Sequence, residues 1–279
     1  MEIQAQSFKT IETHNIKLQV YNASENSFGV ASVIVSGKTD AVLIDTQFTL
    51  ADAEKIALEI KNSGKKLTTI YVSHGDPDFY FGLEVFKKYF PEVTAYASPA
   101  TVEYIKATAQ KKLEVWGGRL GKNITSNAIL PQVLKGNSID LEGQKLEIIG
   151  LEEFPKMTFV WIPLIKTILG GISVFGTTFH LWMADAQTAE ARKQWINVLG
   201  KIESLQPEIV IPAHATSASA FDLTAVKHTK SYIQFYEEAL QTSKTSETLI
   251  ATLKAKYPTL TFETALQIGA KVNTGEMKW

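Results

Sequence analysis

The run Thr68-Thr69-Ile70-Tyr71-Val72, β-branched and aromatic, passes directly into Ser73-His74-Gly75-Asp76-Pro77-Asp78-Phe79-Tyr80-Phe81-Gly82. Five such residues read as a buried strand of a parallel sheet, and Leu83 to Tyr89 read as the helix that follows. The polar loop between them therefore lies at the carboxyl end of a strand, the edge where open α/β sheets collect ligands and catalytic groups. One histidine and two carboxylates at that edge suggest a metal-binding loop. The alternative is a plain turn, because Gly, Asp and Pro are the usual turn formers.

The rest of the chain alternates strand and helix around this point. Strands are expected near Ile16 to Tyr21, Gly29 to Val35 and Ala41 to Ile44, followed by a helix from Leu50 to Ser63. There Ala53, Ile56, Ala57 and Ile60 recur at helical spacing, and Gly64 terminates the helix. Thr94 to Ala97 reads as strand, and Pro99 to Gln110 as helix with Ser98 as its cap. Lys111 to Gly136, containing Trp116-Gly117-Gly118-Arg119, reads as a loop over the site. Strands at Lys145 to Gly150 and Thr158 to Ile162, a hairpin from Thr167 to Phe175, a helix from Ala189 to Ser204 and a strand at Ile209 to Ile211 complete this part. Beyond it, Leu223 to Thr242, Ser246 to Lys256 and Phe262 to Ala270 read as helices. They form a C-terminal extension, residues 217–279, on a domain of residues 1–216. Packing on that domain, a lid over the pocket, or a dimer contact are the roles open to it.

The His74-Gly75-Asp76-Pro77-Asp78-Phe79 loop resembles the His-x-His-x-Asp-His loop of the metallo-β-lactamase fold superfamily. His74 matches the first histidine and Asp78 the aspartate, while Asp76 and Phe79 replace the second and third histidines. Ala41 to Thr46 resembles the family strand that ends in a structural aspartate, here Asp45, and Ile209 to His214 resembles the late strand whose terminal histidine completes the site. The similarity spans roughly Ser27 to Thr216. It implies a four-layer αββα sandwich with metal residues drawn from both halves to one sheet edge. The segment equivalent to the family's bridging aspartate is Thr167 to Ile172, which puts Ile172 at that position. Where the middle histidine is expected, Gly150 to Thr158 offers only Glu152 and Glu153.

The resemblance implies one divalent metal, held by His74, Asp76, Asp78 and His214 with Glu153 as a further donor. Zinc is the first choice, but an oxygen-rich set also suits manganese or iron. Asp78 doubles as a candidate general base on the attacking water. Phe79, Tyr80, Trp116, Trp161 and Trp182 fall in or beside the site loops and suggest an aromatic pocket, although Phe79 and Trp161 are also natural core residues. In Phe179 to Thr188, His180 and Asp185 are either active-site groups or, in the case of His180, a structural histidine, and Thr188 is read as a helix cap. Tyr80, Trp116, His180, Trp182 and Asp185 are thus the candidate substrate contacts.

Composition narrows the classes of function. With 279 residues, 45% hydrophobic content and a net charge of -1, the chain can bury a large core. It shows no clustered basic face for nucleic acid, and Lys65-Lys66 and Lys111-Lys112 read as solvated surface. No apolar run reaches the roughly 18 to 20 residues of a membrane helix. Having no cysteine, the chain can form neither a disulfide nor a thiolate site. Met1 to Thr10 shows no signal-peptide pattern, so cytoplasm is the default expectation, and a processed secreted chain would look the same. Two functions are carried forward. One is a metal-dependent hydrolase of a small ester, lactone, thioester or similar bond, with β-lactams less expected. The other is a metal-free member of the fold that binds a small molecule or a partner. Either form could be a homodimer.

Overall fold

Two β-sheets lie face to face, and the pattern of buried side chains explains why. In the computed structural model, which describes residues 8–13, 15–216 and 218–279, the first half of the chain contributes seven strands. These are β1 (Lys9–Glu12), β2 (Lys17–Asn22), β3 (Ala31–Ser36), β4 (Asp40–Ile44), β5 (Lys66–Val72), β6 (Thr94–Ala97) and β7 (Gln132–Val133), paired in chain order. Pairing is antiparallel from β1 to β4 and parallel from β4 to β7. The second half contributes β8 (Ser138–Leu141), β9 (Gln144–Ile149), β10 (Phe159–Ile162), β11 (Thr167–Leu169) and β12 (Ile209–Val210), which form a second sheet in the order β12-β11-β10-β9-β8. The reading of Met1 to Thr10 lies mostly outside the described residues.

Alternate residues of a strand face opposite sides of its sheet. Val33, Val35, Val42 and Ile44 of the first sheet meet Ile139, Leu146, Ile148, Val160 and Ile162 of the second in one apolar cluster between the sheets. Their neighbours Ile34, Leu43 and Ile70, and on the second sheet Phe159, Trp161 and Ile168, belong instead to the cluster shared with the helices. That cluster takes in Ile56, Ala57 and Ile60 of α1 (Leu50–Ser63) and Phe79 and Tyr80 of the single-turn α2 (Pro77–Tyr80). It also includes Phe86 of α3 (Leu83–Tyr89), Val102 and Ile105 of α4 (Pro99–Leu120), and Trp195, Val198, Leu199 and Ile202 of α5 (Ala189–Ser204). The result is the expected αββα order. The C-terminal helices α6 (Leu223–Thr242), α7 (Ser246–Lys256) and α8 (Glu263–Asn273) join the same cluster through Val226, Tyr232, Ile233, Leu249, Leu253 and Leu266. Among the described residues no helix is long and apolar enough to cross a membrane.

Two sequence expectations are corrected. The helix from Pro99 does not stop at Gln110 but continues to Leu120, so the segment from Lys111 is helix before it is loop. Ala109, Leu113, Trp116 and Leu120 continue the apolar spacing and pack on the core, while a Cβ at Gly117 or Gly118 would meet nothing within 4 Å. Exposed glycines cost a helix roughly 1 kcal/mol each, which this packing outweighs. The hairpin expected from Thr167 to Phe175 is instead formed by β10 and β11 through Pro163 to Lys166, and β12 adds in parallel on the far side of β11. After β11 the chain turns sharply at Gly170 (φ 67°) and Gly171 (φ 75°), left-handed conformations that favour glycine. A Cβ on Gly171 would lie 2.2 Å from the Thr158 carbonyl oxygen.

Candidate active site

Strand β5 delivers the polar loop to the sheet edge, and Ser73 anchors it there. The Ser73 N–H and hydroxyl donate to the two carboxylate oxygens of Asp45 at 2.7 and 2.6 Å, and Gly171 N–H donates to Ser73 Oγ at 2.7 Å. Asp45, at the end of β4, has a left-handed φ of 62° that aims its carboxylate at this contact. Burial pushes its pKa up to about 7, against the lowering effect of the two Ser73 bonds. The structural aspartate implied by the resemblance therefore fixes Ser73, whose hydroxyl in turn takes the bond from Gly171 that joins the two sheets.

His214 follows β12 and is held from both sides. Its backbone bridges Val30 and Phe175, and its Nδ1 lies 3.0 Å from the Phe28 carbonyl oxygen. A carbonyl only accepts, so Nδ1 carries the proton and Nε2 presents a lone pair. Phe28 is itself left-handed (φ 63°), which turns that carbonyl inward. The imidazole stacks on Phe175 at 4.9 Å and meets Phe79 edge-on at 5.7 Å. Burial lowers its pKa to about 4, so the ring is neutral at physiological pH.

The four donors of the motif come together as two pairs. His214 Nε2 lies 3.6 Å from Asp78 Oδ2, and both side chains are almost inaccessible. Burial first, then the charge of Asp76, raises the Asp78 pKa to about 8. In the second pair, His74 Nε2 lies 3.3 Å from Asp76 Oδ2. Burial acts to raise the Asp76 carboxyl, but His74 and then Lys112 outweigh it and hold the group well below the usual carboxylate range. Phe79 touches both imidazoles edge-on, at 5.3 Å from His74 and 5.7 Å from His214, and is fully buried in the place the resemblance gives to a third histidine.

Lys112 is the site residue that the sequence reading missed. Its Nζ donates to Asp76 Oδ1 at 2.5 Å and to the Gly75 carbonyl at 3.1 Å, and lies 4.3 Å from the Tyr104 ring centroid. Its side chain is 16% exposed, so it is not the solvated surface residue expected. Tyr104, Thr108, Lys112 and Trp116, spaced four apart, all face the cleft from α4. That spacing was the available signal, and it vanished once the helix was ended at Gln110.

The cleft has two lobes, of about 580 and 620 Å³, sharing walls at Asp76, Tyr104, Ile172, Trp182 and Asp185. Asp78, His214 and Lys112 line the first lobe beneath Phe28, Trp116, Phe262 and Trp279. His74 lines the second, with Phe154, Met157 and Trp195. Glu153 is exposed on the second lobe, away from both pairs, and Glu152 is not part of either lining. Trp116, Trp182 and Asp185 are thus cleft residues as expected, and Asp185 accepts from the Trp279 indole N–H at 2.7 Å. Tyr80 and His180 are not: Tyr80 is buried against Phe81, and His180 is buried with its Nδ1 3.0 Å from the Tyr232 hydroxyl. Their neighbours on the apolar cluster draw both side chains into the core. Trp161 is core as well, and Thr188 caps α5 by accepting from Ala191 N–H.

Do these residues fit the metal that the resemblance implies? Among the described residues no three His, Asp or Glu side chains converge on one point, so a closed zinc shell of three or four protein ligands is not formed. The His74–Asp76 pair already carries the Lys112 ammonium. Asp78 and His214 differ, because Nε2 presents a lone pair to Oδ2 in a buried spot, and the raised Asp78 pKa leaves there a proton that an ion can replace. Two such atoms call for a proton or a cation between them. This pair fits a single ion that keeps water on its remaining positions, as oxygen-binding divalent ions commonly do.

Two sheets with flanking helices, and a His-x-Asp-x-Asp loop meeting a late histidine at one sheet edge, define a metallo-β-lactamase-type sandwich. Comparison agrees: the sequence matches the description of the metallo-beta-lactamase superfamily over residues 26–160. The solved structure of DIM-1 metallo-beta-lactamase superposes with a TM-score of 0.56 at 21% identity, covering 82% of this chain and 98% of that one. A metallo-beta-lactamase from Pontibacter korlensis gives 0.56 at 19%, with 82% and 99% covered, and one from Hirschia baltica gives 0.58 at 15%, with 82% and 98% covered. At these identities the likeness is one of fold. No curated protein matches the sequence.

Proposed function

We propose that this chain is a hydrolase of a small ester, lactone, thioester or similar acyl bond, dependent on one divalent ion held at Asp78 and His214. The observation that carries this reading is the buried pair of Asp78 Oδ2 and His214 Nε2, 3.6 Å apart on the floor of an aromatic cleft. Bound there, the ion supplies Lewis acidity and a lowered water pKa, the chemistry that makes hydrolysis possible near neutral pH. The protein's own groups do the rest. The Phe28 carbonyl keeps His214 in the Nε2 lone-pair tautomer, and the Phe79 and Phe175 rings keep bulk water from it. Asp78 gives up, on ion binding, the proton that it holds up to about pH 8, which leaves its carboxylate as the nearest acceptor for a proton of the attacking water. Phe28, Trp116, Trp182 and Trp279 favour an apolar or aryl acyl group, with Lys112 and Asp185 as polar contacts. The nitrogen and oxygen pair does not by itself select among zinc, manganese and iron.

A second reading, the metal-free binding protein, is favoured by Lys112, which neutralises Asp76 without any ion. Turnover of an ester, lactone and thioester panel, with each of the three metals added and with His214→Ala as control, separates the two. Metal-stimulated turnover that falls at least about 100-fold in His214→Ala supports the hydrolase. Absence of turnover on the whole panel gives the binding protein.

A further inference from the structure

The geometry points to Lys112 as a built-in cation that takes up the charge of Asp76 beside His74, so that this chain keeps one ion site where two would otherwise form. His74 Nε2 and Asp76 Oδ2 are 3.3 Å apart. That matches the separation of neighbouring ligands in a tetrahedral site with bonds of about 2.0 Å, which is about 3.3 Å. The pair therefore has ligand spacing, yet its carboxylate is already paired: Lys112 Nζ lies on the other oxygen, Oδ1, at 2.5 Å, with the Gly75 carbonyl at 3.1 Å and the Tyr104 ring at 4.3 Å completing its surroundings. An oxygen lone pair, a backbone carbonyl and an aromatic face are what an ammonium takes in place of water.

The charge around it explains why a cation is wanted there. Asp76, Asp78 and Asp185 line the same lobe as Lys112. Where carboxyl groups gather in a partly buried lobe, a negative charge is favoured on the one that lies next to a positive charge. Lys112 supplies it from the extended part of α4, a helix whose last turns cross the cleft. Its ammonium gives a fixed charge but no open coordination position, so it steadies Asp76 without being able to activate water. A divalent ion at His74 and Asp76 would meet this ammonium as a like charge, and the two exclude each other. Water activation is thereby left to the Asp78–His214 pair. The inference rests on the hydrolase reading only for that last division of labour.

The test is metal stoichiometry, read by elemental mass spectrometry on protein equilibrated with zinc or manganese and freed of unbound ion. Lys112→Met is expected to carry one equivalent more than the wild-type chain, the double variant Lys112→Met with His74→Ala to lose that extra equivalent, and Lys112→Arg, which keeps the charge, to gain none. Lys112→Ala makes the same test if the methionine variant does not fold. Two results would overturn the inference: a wild-type ion that His74→Ala removes, or a folded Lys112→Met or Lys112→Ala protein with no additional ion. Failure of the hydrolase reading shows separately, as absence of turnover or of any His214-dependent ion.

Discussion

His214 Nε2 and Asp78 Oδ2 face each other across 3.6 Å, and because the imidazole donates its own proton to the Phe28 carbonyl, the proton between them is the one that Asp78 holds up to about pH 8. Each is brought there by a different half of the chain, Asp78 by the loop after β5 and His214 by the turn after β12. Above that pH, with no cation bound, two buried lone pairs are left opposed, which costs stability.

Asp78→Asn supplies an amide N–H to His214 Nε2 in nearly the same volume. With chelator at about pH 9, where wild-type Asp78 has lost its proton, it is expected to stabilise the fold by about 1 kcal/mol, the value of a typical hydrogen bond, and at about pH 6, where Asp78 keeps its proton, to change stability little. For a chain above 150 residues this corresponds to a rise in Tm of roughly 2–4 °C. The same variant is expected to lose metal-stimulated hydrolysis. Differential scanning calorimetry checks the first statement, and a lower melting temperature would count against the opposed-acceptor description.

Stability toward acid has a specific source in His180. Burial lowers its pKa from 6.5 to about 4, so below pH 6.5 the unfolded chain takes up a proton that the folded chain refuses until about pH 4. Stability therefore falls as the pH drops through that window and levels off beneath it, by up to about 3 kcal/mol for a shift of this size. His180→Asn removes the titration while keeping a polar partner for Tyr232. Urea midpoints at pH 7.5 and 4.5 should lie closer together in this variant than in the wild type, and an unchanged gap would refute the assignment.

The turn at Gly171 admits no side chain. Gly171→Ala puts a Cβ 2.2 Å from the Thr158 carbonyl at a positive φ, and the Ser73–Gly171 hydrogen bond that joins the two sheets shifts with it. A loss of at least about 2 kcal/mol is expected, from strain and the disturbed contact. Chemical denaturation reads this directly.

Trp279 forms a wall of the first lobe through its bond to Asp185 and an edge contact with Trp182 at 5.5 Å, while remaining 47% exposed. Because it is so exposed, Trp279→Ala is expected to leave the melting temperature within about 2 °C of wild type while weakening binding of an aryl ester several-fold. An unaltered KM or Kd would remove Trp279 from the substrate contacts.

Much of this was readable because it is local. The ends of α1 and α5 follow from caps in the chain itself: Thr49 accepts from Asp52 N–H, Gly64 closes α1 in a left-handed conformation, and Thr188 accepts from Ala191 N–H. His74, Asp76 and Asp78 form one short motif, and His214 marks the end of a strand. What the sequence could not display is pairing across the fold. Lys112 and Asp76 are 36 positions apart, on different elements, and the glycines at 117 and 118 disguise the helix that joins them in space. The division of the donors into two pairs depends on the Phe28 carbonyl, and the burial of Tyr80 and His180 on the cluster around them. Neither follows from spacing along the chain.

A single ion at Asp78 and His214 is checked by counting His214-dependent ions: the wild-type chain, His214→Ala and His74→Ala are each equilibrated with zinc or manganese, and bound metal is measured by elemental mass spectrometry. One equivalent is expected in the wild type, retained in His74→Ala and lost in His214→Ala. An ion retained in His214→Ala, or no ion in the wild type, would contradict it.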